Sequence, residues 1–420
     1  MSSSALVGLR RGLVALASWV VALSFGCGGA DSGSGDARDA ASSSHRRMVA
    51  ALAEIAERTP DENKYLGDKL LRDIRAAIAA HDPAQGPRSL WELEYKAGII
   101  ALRLGDERPG LEHLERAIAL LPRTIGEISQ QQAVESIFET GVAYLRLGES
   151  ENCCARASAA SCILPIQGEA VHTREEGSTK AIAYFTKVIE STTEGVPEHD
   201  HAIWLLNVAY MTLGRYPEGV PERYRISPDA FRAKIPFPRF ENVAAVAGVN
   251  TFNLSGGAIL DDFDGDGDPD LLTSTWNTRG QIRYFRNDGD GRFTDRTEAA
   301  GSSGILGGLN LVQADHDNDG DLDLLVLRGA WLGRGGRHPN SLLEGRGDGT
   351  FEDVTFDAGL GHVHFPTQTA AWADYDLDGD LDLYIGNETT PELDAPCQLF
   401  RNRGDGTFED IAESAGVTKR

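Results

Sequence analysis

The chain has 420 residues, 41% of them hydrophobic, with 64 acidic and 40 basic side chains and a net charge of −24. That length suffices for two buried cores, and the acidic balance disfavours nucleic acid and anionic membrane surfaces while favouring divalent cations or basic partners. The acid is concentrated: residues 241–420 hold 33 acidic and 13 basic residues, against 31 and 27 in residues 1–240.

Arg10 and Arg11 precede an apolar run over 13–25 that is too short for a comfortable membrane span, so residues 1–27 read as an export signal. The run ends in Leu23-Ser-Phe-Gly26-Cys27, and a polar stretch rich in Gly, Ser, Asp and Ala follows. This resembles a bacterial lipoprotein signal, although Phe25 stands at a position that is usually small. The resemblance implies lipidation at Cys27, with residues 28–45 as a flexible tether. The membrane would be engaged through that anchor only. The expected location is the outer membrane or cell surface, with the periplasm or simple secretion as the alternative.

Residues 46–222 predict helices. Spaced apolar positions cover 93–104 and 111–121, with Leu104-Gly105-Asp106 between them and Pro122 as the stop. Gly98 and Ala101 in the first helix and Ala117 in the second are small residues at packing positions. With Leu147-Gly148 and Leu213-Gly214 as further turns and Ala181-Ile-Ala-Tyr-Phe185 as another second helix, the segment resembles a tetratricopeptide-like domain. Its Leu-Gly turns lie 43 and 66 residues apart, off that family's 34-residue period, so an irregular, interrupted solenoid is expected. Such repeats present a groove for partner peptides, and no ligand is identified by the sequence. The interruption carries Cys153, Cys154 and Cys162. Exported thiols this close can oxidise, and a disulfide from Cys162 to Cys153 or Cys154 is expected. A metal site on these cysteines and His172 matches no familiar zinc spacing, and Cys397 lies outside either scheme. Residues 223–240 read as a linker.

The region 241–420 is dominated by three loops: Asp262-Phe-Asp264-Gly-Asp266-Gly267-Asp268-Pro-Asp270, Asp315-His-Asp317-Asn-Asp319-Gly320-Asp321-Leu-Asp323 and Asp374-Tyr-Asp376-Leu-Asp378-Gly379-Asp380-Leu-Asp382. Carboxylates at positions 1, 3, 5 and 9, a glycine at 6 for the sharp turn and a backbone carbonyl at 7 suit a hard, oxygen-loving cation, and calcium is the natural one. Five aspartates in nine residues repel one another without it. These are not EF-hands: position 12 is Thr273, Val326 or Ile385, and a short β-type run follows each loop.

A second signature alternates with the loops: Phe285-Arg-Asn-Asp-Gly-Asp-Gly-Arg-Phe293, Leu343-Glu-Gly-Arg-Gly-Asp-Gly-Thr-Phe351 and Phe400-Arg-Asn-Arg-Gly-Asp-Gly-Thr-Phe408, hairpin turns with an aromatic after them. Each unit closes on Ala-Gly, at Ala300-Gly301, Ala358-Gly359 and Ala415-Gly416. The loops start 53 and 59 residues apart, a period that suits one four-stranded propeller blade. Loops and hairpins together resemble the FG-GAP/VCBS repeats of the cartilage-acidic-protein-like family, related to the calcium-loop propeller of integrin α chains. The resemblance implies that the aspartates named above are calcium ligands.

The fold expected is therefore multidomain α plus all-β: a tetratricopeptide-like helical solenoid, then a partial, three-blade β-propeller. A ring needs about four to eight blades, so an incomplete arc is expected, with Leu325, Trp331 and Trp372 on exposed blade faces and self-association as the result. Trp276, Trp331 and Trp372 read as packing residues before sugar platforms. Arg346-Gly-Asp348 and Arg403-Gly-Asp405 read as parts of their hairpins, and His316 as an outward-pointing loop position. No nucleophile elbow, phosphate-cradling loop or metalloprotease helix is present in the sequence. The function expected is calcium-dependent protein–protein recognition or adhesion at a bacterial surface, without catalysis. A carbohydrate-binding lectin is the alternative and a polysaccharide-active enzyme the second. The protein or glycan ligand is left open.

Overall fold

The computed structural model describes residues 42–418, apart from residues 64, 157, 159, 162, 233, 236–239 and 241. The export signal with Cys27, nearly all of the expected tether, and Cys162 with its expected disulfide lie outside the described residues. None of the described helices is long and apolar enough to cross a membrane.

Seven helices come first: α1 (Ser43–Glu62), α2 (Lys69–Ala79), α3 (Gly86–Arg103), α4 (Glu107–Leu120), α5 (Gln130–Glu149), α6 (Glu176–Ser191) and α7 (Pro197–Thr212). Local chemistry sets several starts. Ser42 caps α1 by accepting from the His45 amide, and Ser129 with Gln132 forms a complete capping box on α5. The pairs α3/α4 and α5/α6 approach closely where side chains are missing. A Cβ on Gly98 would meet Leu114 Cγ at 2.6 Å, and one on Gly177 would meet the Tyr144 carbonyl at 2.5 Å and the Gly148 amide at 2.6 Å. Ala101 and Ala117 are fully buried, as expected of packing positions. Leu213-Gly214 is the turn that was expected, with Gly214 at φ +64°. Leu147-Gly148 is not a turn: both residues lie inside α5. Gly148 is a contact glycine there, giving α6 room to approach.

Three four-stranded antiparallel sheets follow, each in sequential order. The first contains β1 (Ala258–Asp261), β2 (Asp270–Thr273), β3 (Arg283–Asn287) and β4 (Phe293–Asp295). The second contains β5 (Asn310–Ala314), β6 (Asp323–Leu327), β7 (Ser341–Gly345) and β8 (Phe351–Asp353). The third contains β9 (Thr367–Ala373), β10 (Asp382–Asn387), β11 (Gln398–Asn402) and β12 (Phe408–Asp410). These are propeller blades. Phe263, Tyr284 and Phe351 meet edge to face between the first and second blades, and Leu325, Leu342, Leu383, Phe400 and Phe408 fill the space between the second and third. The middle blade is covered on both faces, so β6 is buried at every residue, whereas β2 alternates. That is why Leu324-Leu-Val-Leu327 is an unbroken apolar run.

The Ala-Gly corners join neighbouring blades. Gly301 and Gly359 take left-handed φ of +74° and +83°, and the preceding Ala300 and Ala358 carbonyls accept from the Phe351 and Phe408 amides of the next blade. A fourth corner stands earlier, at Ala247-Gly248 after the short helix α8 (Ala244–Ala247). Gly248 has φ +85°, and a Cβ there would lie 2.8 Å from the Phe293 carbonyl, the spacing seen for Gly301 against Phe351. The sequence reading missed it because no calcium-type loop precedes it.

Helix α1 packs on the blades. Met48, Leu52 and Ile55 join the core shared by the first two blades. The Asp353 amide donates to His45 Nδ1, the Phe356 amide donates to Ser44 Oγ, and Arg279 donates to the Ala56 carbonyl.

Leu325, expected on an exposed face, is 1% exposed between blades two and three. Trp372 packs in the same interface. Trp331 is exposed, yet it lies on the β6–β7 connection and not on a blade face, with φ +68°.

Candidate metal centre

Each aspartate loop is the connection between the first and second strands of a blade, and its ninth residue opens the second strand. The register pairs Asp261 with Asp270, Ala314 with Asp323 and Ala373 with Asp382. The loop closes on its own first residue. Gly267 donates to Asp262 Oδ2, Gly320 to Asp315 Oδ2 and Gly379 to Asp374 Oδ2, at 2.9, 3.1 and 3.2 Å. Two left-handed residues make this curl. The glycine at position 6 was legible in sequence. The one at position 4 is Gly265, Asn318 or Leu377, with φ of 72°, 63° and 63°.

The closure brings carboxylates together. Oxygens of Asp262, Asp264 and Asp270 lie within 4.8 Å of one another, as do those of Asp374, Asp376 and Asp382 and those of Asp315, Asp317 and Asp319. Positions 1 and 3 therefore converge in every loop, joined by position 9 in the first and third and by position 5 in the second, where position 3 also groups with His316 and the position-9 Asp323. In all three loops the position-5 carboxylate accepts from the position-7 amide, Asp266 from Asp268, Asp319 from Asp321 and Asp378 from Asp380. The side chains of Asp268, Asp321 and Asp380 turn toward the hairpin glycines Gly289, Gly347 and Gly404. Asp380 also accepts from Asn318 Nδ2 at 3.0 Å, linking loop three to loop two.

The ninth aspartates do a second job. Asp270, Asp323 and Asp382 are 0%, 1% and 2% exposed. Their Oδ1 atoms accept from the amides of Asn287, Gly345 and Asn402 on the third strand. Their Oδ2 atoms accept from the amides of Phe263, His316 and Tyr375 at loop position 2. Each is thus a clamp between loop and blade.

His316 is the correction here. Expected to point outward, it is 2% exposed, its Nδ1 is 2.5 Å from Asp323 Oδ2, and its ring stacks on Phe408. The curl of the loop turns position 2 into the interblade core where another blade covers it, as for Phe263, whereas Tyr375 in the third loop is exposed. Burial disfavours the imidazolium, but Asp323, with Asp317 and Glu344 nearby, outweighs it and raises His316 above its ordinary value.

The donor set fits a hard dication. Burial, then repulsion from Asp270, Asp266 and Asp262, raises the Asp264 carboxyl. Burial and Asp323 raise Asp317, and burial raises Asp382. Asp315 Oδ1 is buried without a hydrogen-bond partner. Crowded carboxylate oxygens with an orphaned acceptor are a donor set that a hard divalent cation would relieve. The Arg-Gly-Asp tripeptides are used internally: Arg346 pairs with Glu352 and Arg403 with Glu409, while Asp348 and Asp405 accept from Thr350 and Thr407.

The family model described as an FG-GAP-like repeat matches residues 262–326, from the start of the first loop almost to the end of β6. Cartilage acidic protein 1 from Homo sapiens is 27% identical over 222 residues, and that from Mus musculus 26% over 219, each match covering 50% of this chain and 31% of the relative. The Xenopus tropicalis protein of the same name is 35% identical over 77 residues, 18% of this chain and 11% of the relative. Among solved structures, a Podosopora anserina kinesin-light-chain protein with nearly identical TPR-like repeats aligns over 42% of this chain and 91% of its own at 14% identity, with a TM-score of 0.18. The chain thus carries an FG-GAP-like repeat segment and resembles cartilage acidic protein 1, while spanning at most about a third of the length of those relatives.

Proposed function

We propose that this is an exported, lipid-anchored calcium-binding protein whose blades serve protein–protein recognition or adhesion at a bacterial cell surface. The likeness to FG-GAP repeats and to cartilage acidic protein 1 suggests a non-enzymatic repeat protein of protein–protein or adhesion type. The observation that carries the calcium reading is the repeated convergence of three aspartates in each loop. Asp262, Asp264 and Asp270, then Asp315, Asp317 and Asp319, then Asp374, Asp376 and Asp382 would hold the ions. Calcium there would partly neutralise the loops and stiffen one end of the blade array, leaving a rigid acidic face for a basic or glycan-bearing partner.

Calorimetric titration of the purified chain tests this. Three ions should bind with dissociation constants on the order of 10⁻⁴–10⁻³ M, as in extracellular modules, and calcium should raise the melting temperature. A melting curve unchanged by chelator would sink the metal reading. For the anchor, labelled palmitate should enter the wild-type protein and not Cys27→Ser, and that variant should appear in the soluble fraction.

A further inference from the structure

The aspartate loops are joined to one another unequally. Between the second and third, two asparagine side chains bridge the gap. Asn318, at position 4 of the second loop, donates from Nδ2 to Asp380 Oδ1 at 3.0 Å and to the Gly379 carbonyl at 3.4 Å, both in the third loop. Asn402, 3% exposed at the end of β11, touches both loops at once. Its Nδ2 donates to the His316 carbonyl of the second at 2.8 Å and to the Leu381 carbonyl of the third at 3.1 Å. A primary amide has two such protons, and each asparagine directs both into this junction.

The bridges end beside the converging carboxylates. Asn318 stands between Asp317 and Asp319, and the Gly379 that it holds donates its own amide to Asp374. His316 stands between Asp315 and Asp317, and the Asn402 amide donates to Asp382. Closing either loop around an ion therefore fixes a group to which the other loop is bonded.

The first loop has neither side chain. Its position 4 is Gly265. The residue of β7 that corresponds to Asn402, whose amide serves Asp323 as the Asn402 amide serves Asp382, is Gly345. The first loop meets the hairpin of the second blade through the backbone, with the Gly349 amide on the Phe263 carbonyl at 3.0 Å.

We propose that Asn318 and Asn402 are positioning residues that couple cation binding in the second and third loops, so that an ion in either strengthens binding in the other, while the first loop binds independently. The coupling rests on the calcium reading of the loops. Its physical basis is shared ordering: the ion that fixes one loop also fixes the bridge, and the second ion meets a loop already curled. Repulsion between two dications acts in the opposite sense and is partly screened by salt. Binding without the bridges should therefore show no positive cooperativity.

Calcium titrations of full-length chains, each with one loop blocked, test this. Asp264→Ala leaves loops two and three. It should bind two ions, the first raising the intrinsic affinity for the second about fivefold or more. Asp376→Ala leaves loops one and two and should bind two ions independently. Adding Asn318→Gly to the Asp264→Ala chain should bring the coupling factor down toward one while both ions still bind. Glycine is what the first loop carries at this position, and it accepts the left-handed φ of +63°, so the loop keeps its curl. Asn402→Gly, which copies Gly345, should act in the same direction. Should that buried substitution fail to fold by circular dichroism, the exposed Asn318→Gly decides alone. Independent binding in the Asp264→Ala chain, or coupling unchanged by Asn318→Gly, overturns the proposal. A wild-type chain that takes up no calcium defeats the metal reading itself, so the two failures are told apart.

Discussion

The helical and blade regions solve the same problem, holding charged groups in fixed places, at opposite ranges of sequence. In the blades the groups that converge lie within nine residues of one another, on turns whose pleat is repeated three times. In the helices they come from different elements. Glu94 on α3 meets His113 of α4 at 2.6 Å and Arg116 at 2.9 Å, and Cys153 meets His172 across an insertion. Local loops announce their chemistry in spelling, whereas helix crossings conceal it.

The sharpest way to break this comparison is to separate the clamp from the ligand within one loop. Asp382→Ala strands the Tyr375 and Asn402 amides and should cost about 2–4 kcal/mol even in chelator, and more in calcium because Asp382 is also one of the converging carboxylates. Asp376→Ala, one of the converging carboxylates, should lower stability only when calcium is present. Denaturant unfolding in calcium and in chelator measures both, and equal costs of the two variants in chelator would collapse the distinction.

In the helical region the corresponding weak point is a contact and not a charge. Gly177→Ala puts a Cβ against the Tyr144 and Gly148 backbone. It should destabilise by about 1–3 kcal/mol, independent of calcium, as seen in the same unfolding experiment.

The pH response sharpens the contrast further. Asp264, Asp317 and Asp382 are raised above the ordinary 3.8, each chiefly by burial. The calcium-free folded state therefore binds more protons than the unfolded chain in the window from that ordinary value up to the raised ones. Its stability should fall as pH rises through the window. Bound calcium would hold these carboxylates ionised and should reverse the slope. Melting temperatures between pH 4 and 7, with calcium and with chelator, check the sign.

The smallest effect belongs to position 4 of the third loop. Leu377 is 86% exposed at φ +63°, so its side chain gains little from burial while its backbone is strained. Leu377→Gly should stabilise the chain by about 1 kcal/mol.

Much of the blade half was readable in advance. The β-runs after the loops fall on the second strands of three sheets, and the loops and hairpin turns connect strands there, because aspartate spacing and Asp-Gly turns act over a few residues. The Ala247-Gly248 corner was missed because its partner signals were absent. His316 was misread because which face position 2 presents depends on the neighbouring blade. In the helical half, α3 and α4 were legible from apolar spacing, and Gly148 was taken for a turn because a contact glycine and a turn glycine look alike in one dimension.

By itself the sequence determined the repeat, its period and the aspartates crowded into each loop, since those are consequences of local turn chemistry. The tertiary structure alone decided which of those carboxylates converge and which turn toward the hairpin glycines or the next loop. It also decided that α1 packs on the blades and that Cys153 faces His172. Each of these depends on residues distant in the chain, whose meeting is set by the packing of whole elements and by the absence of a Cβ where two of them cross.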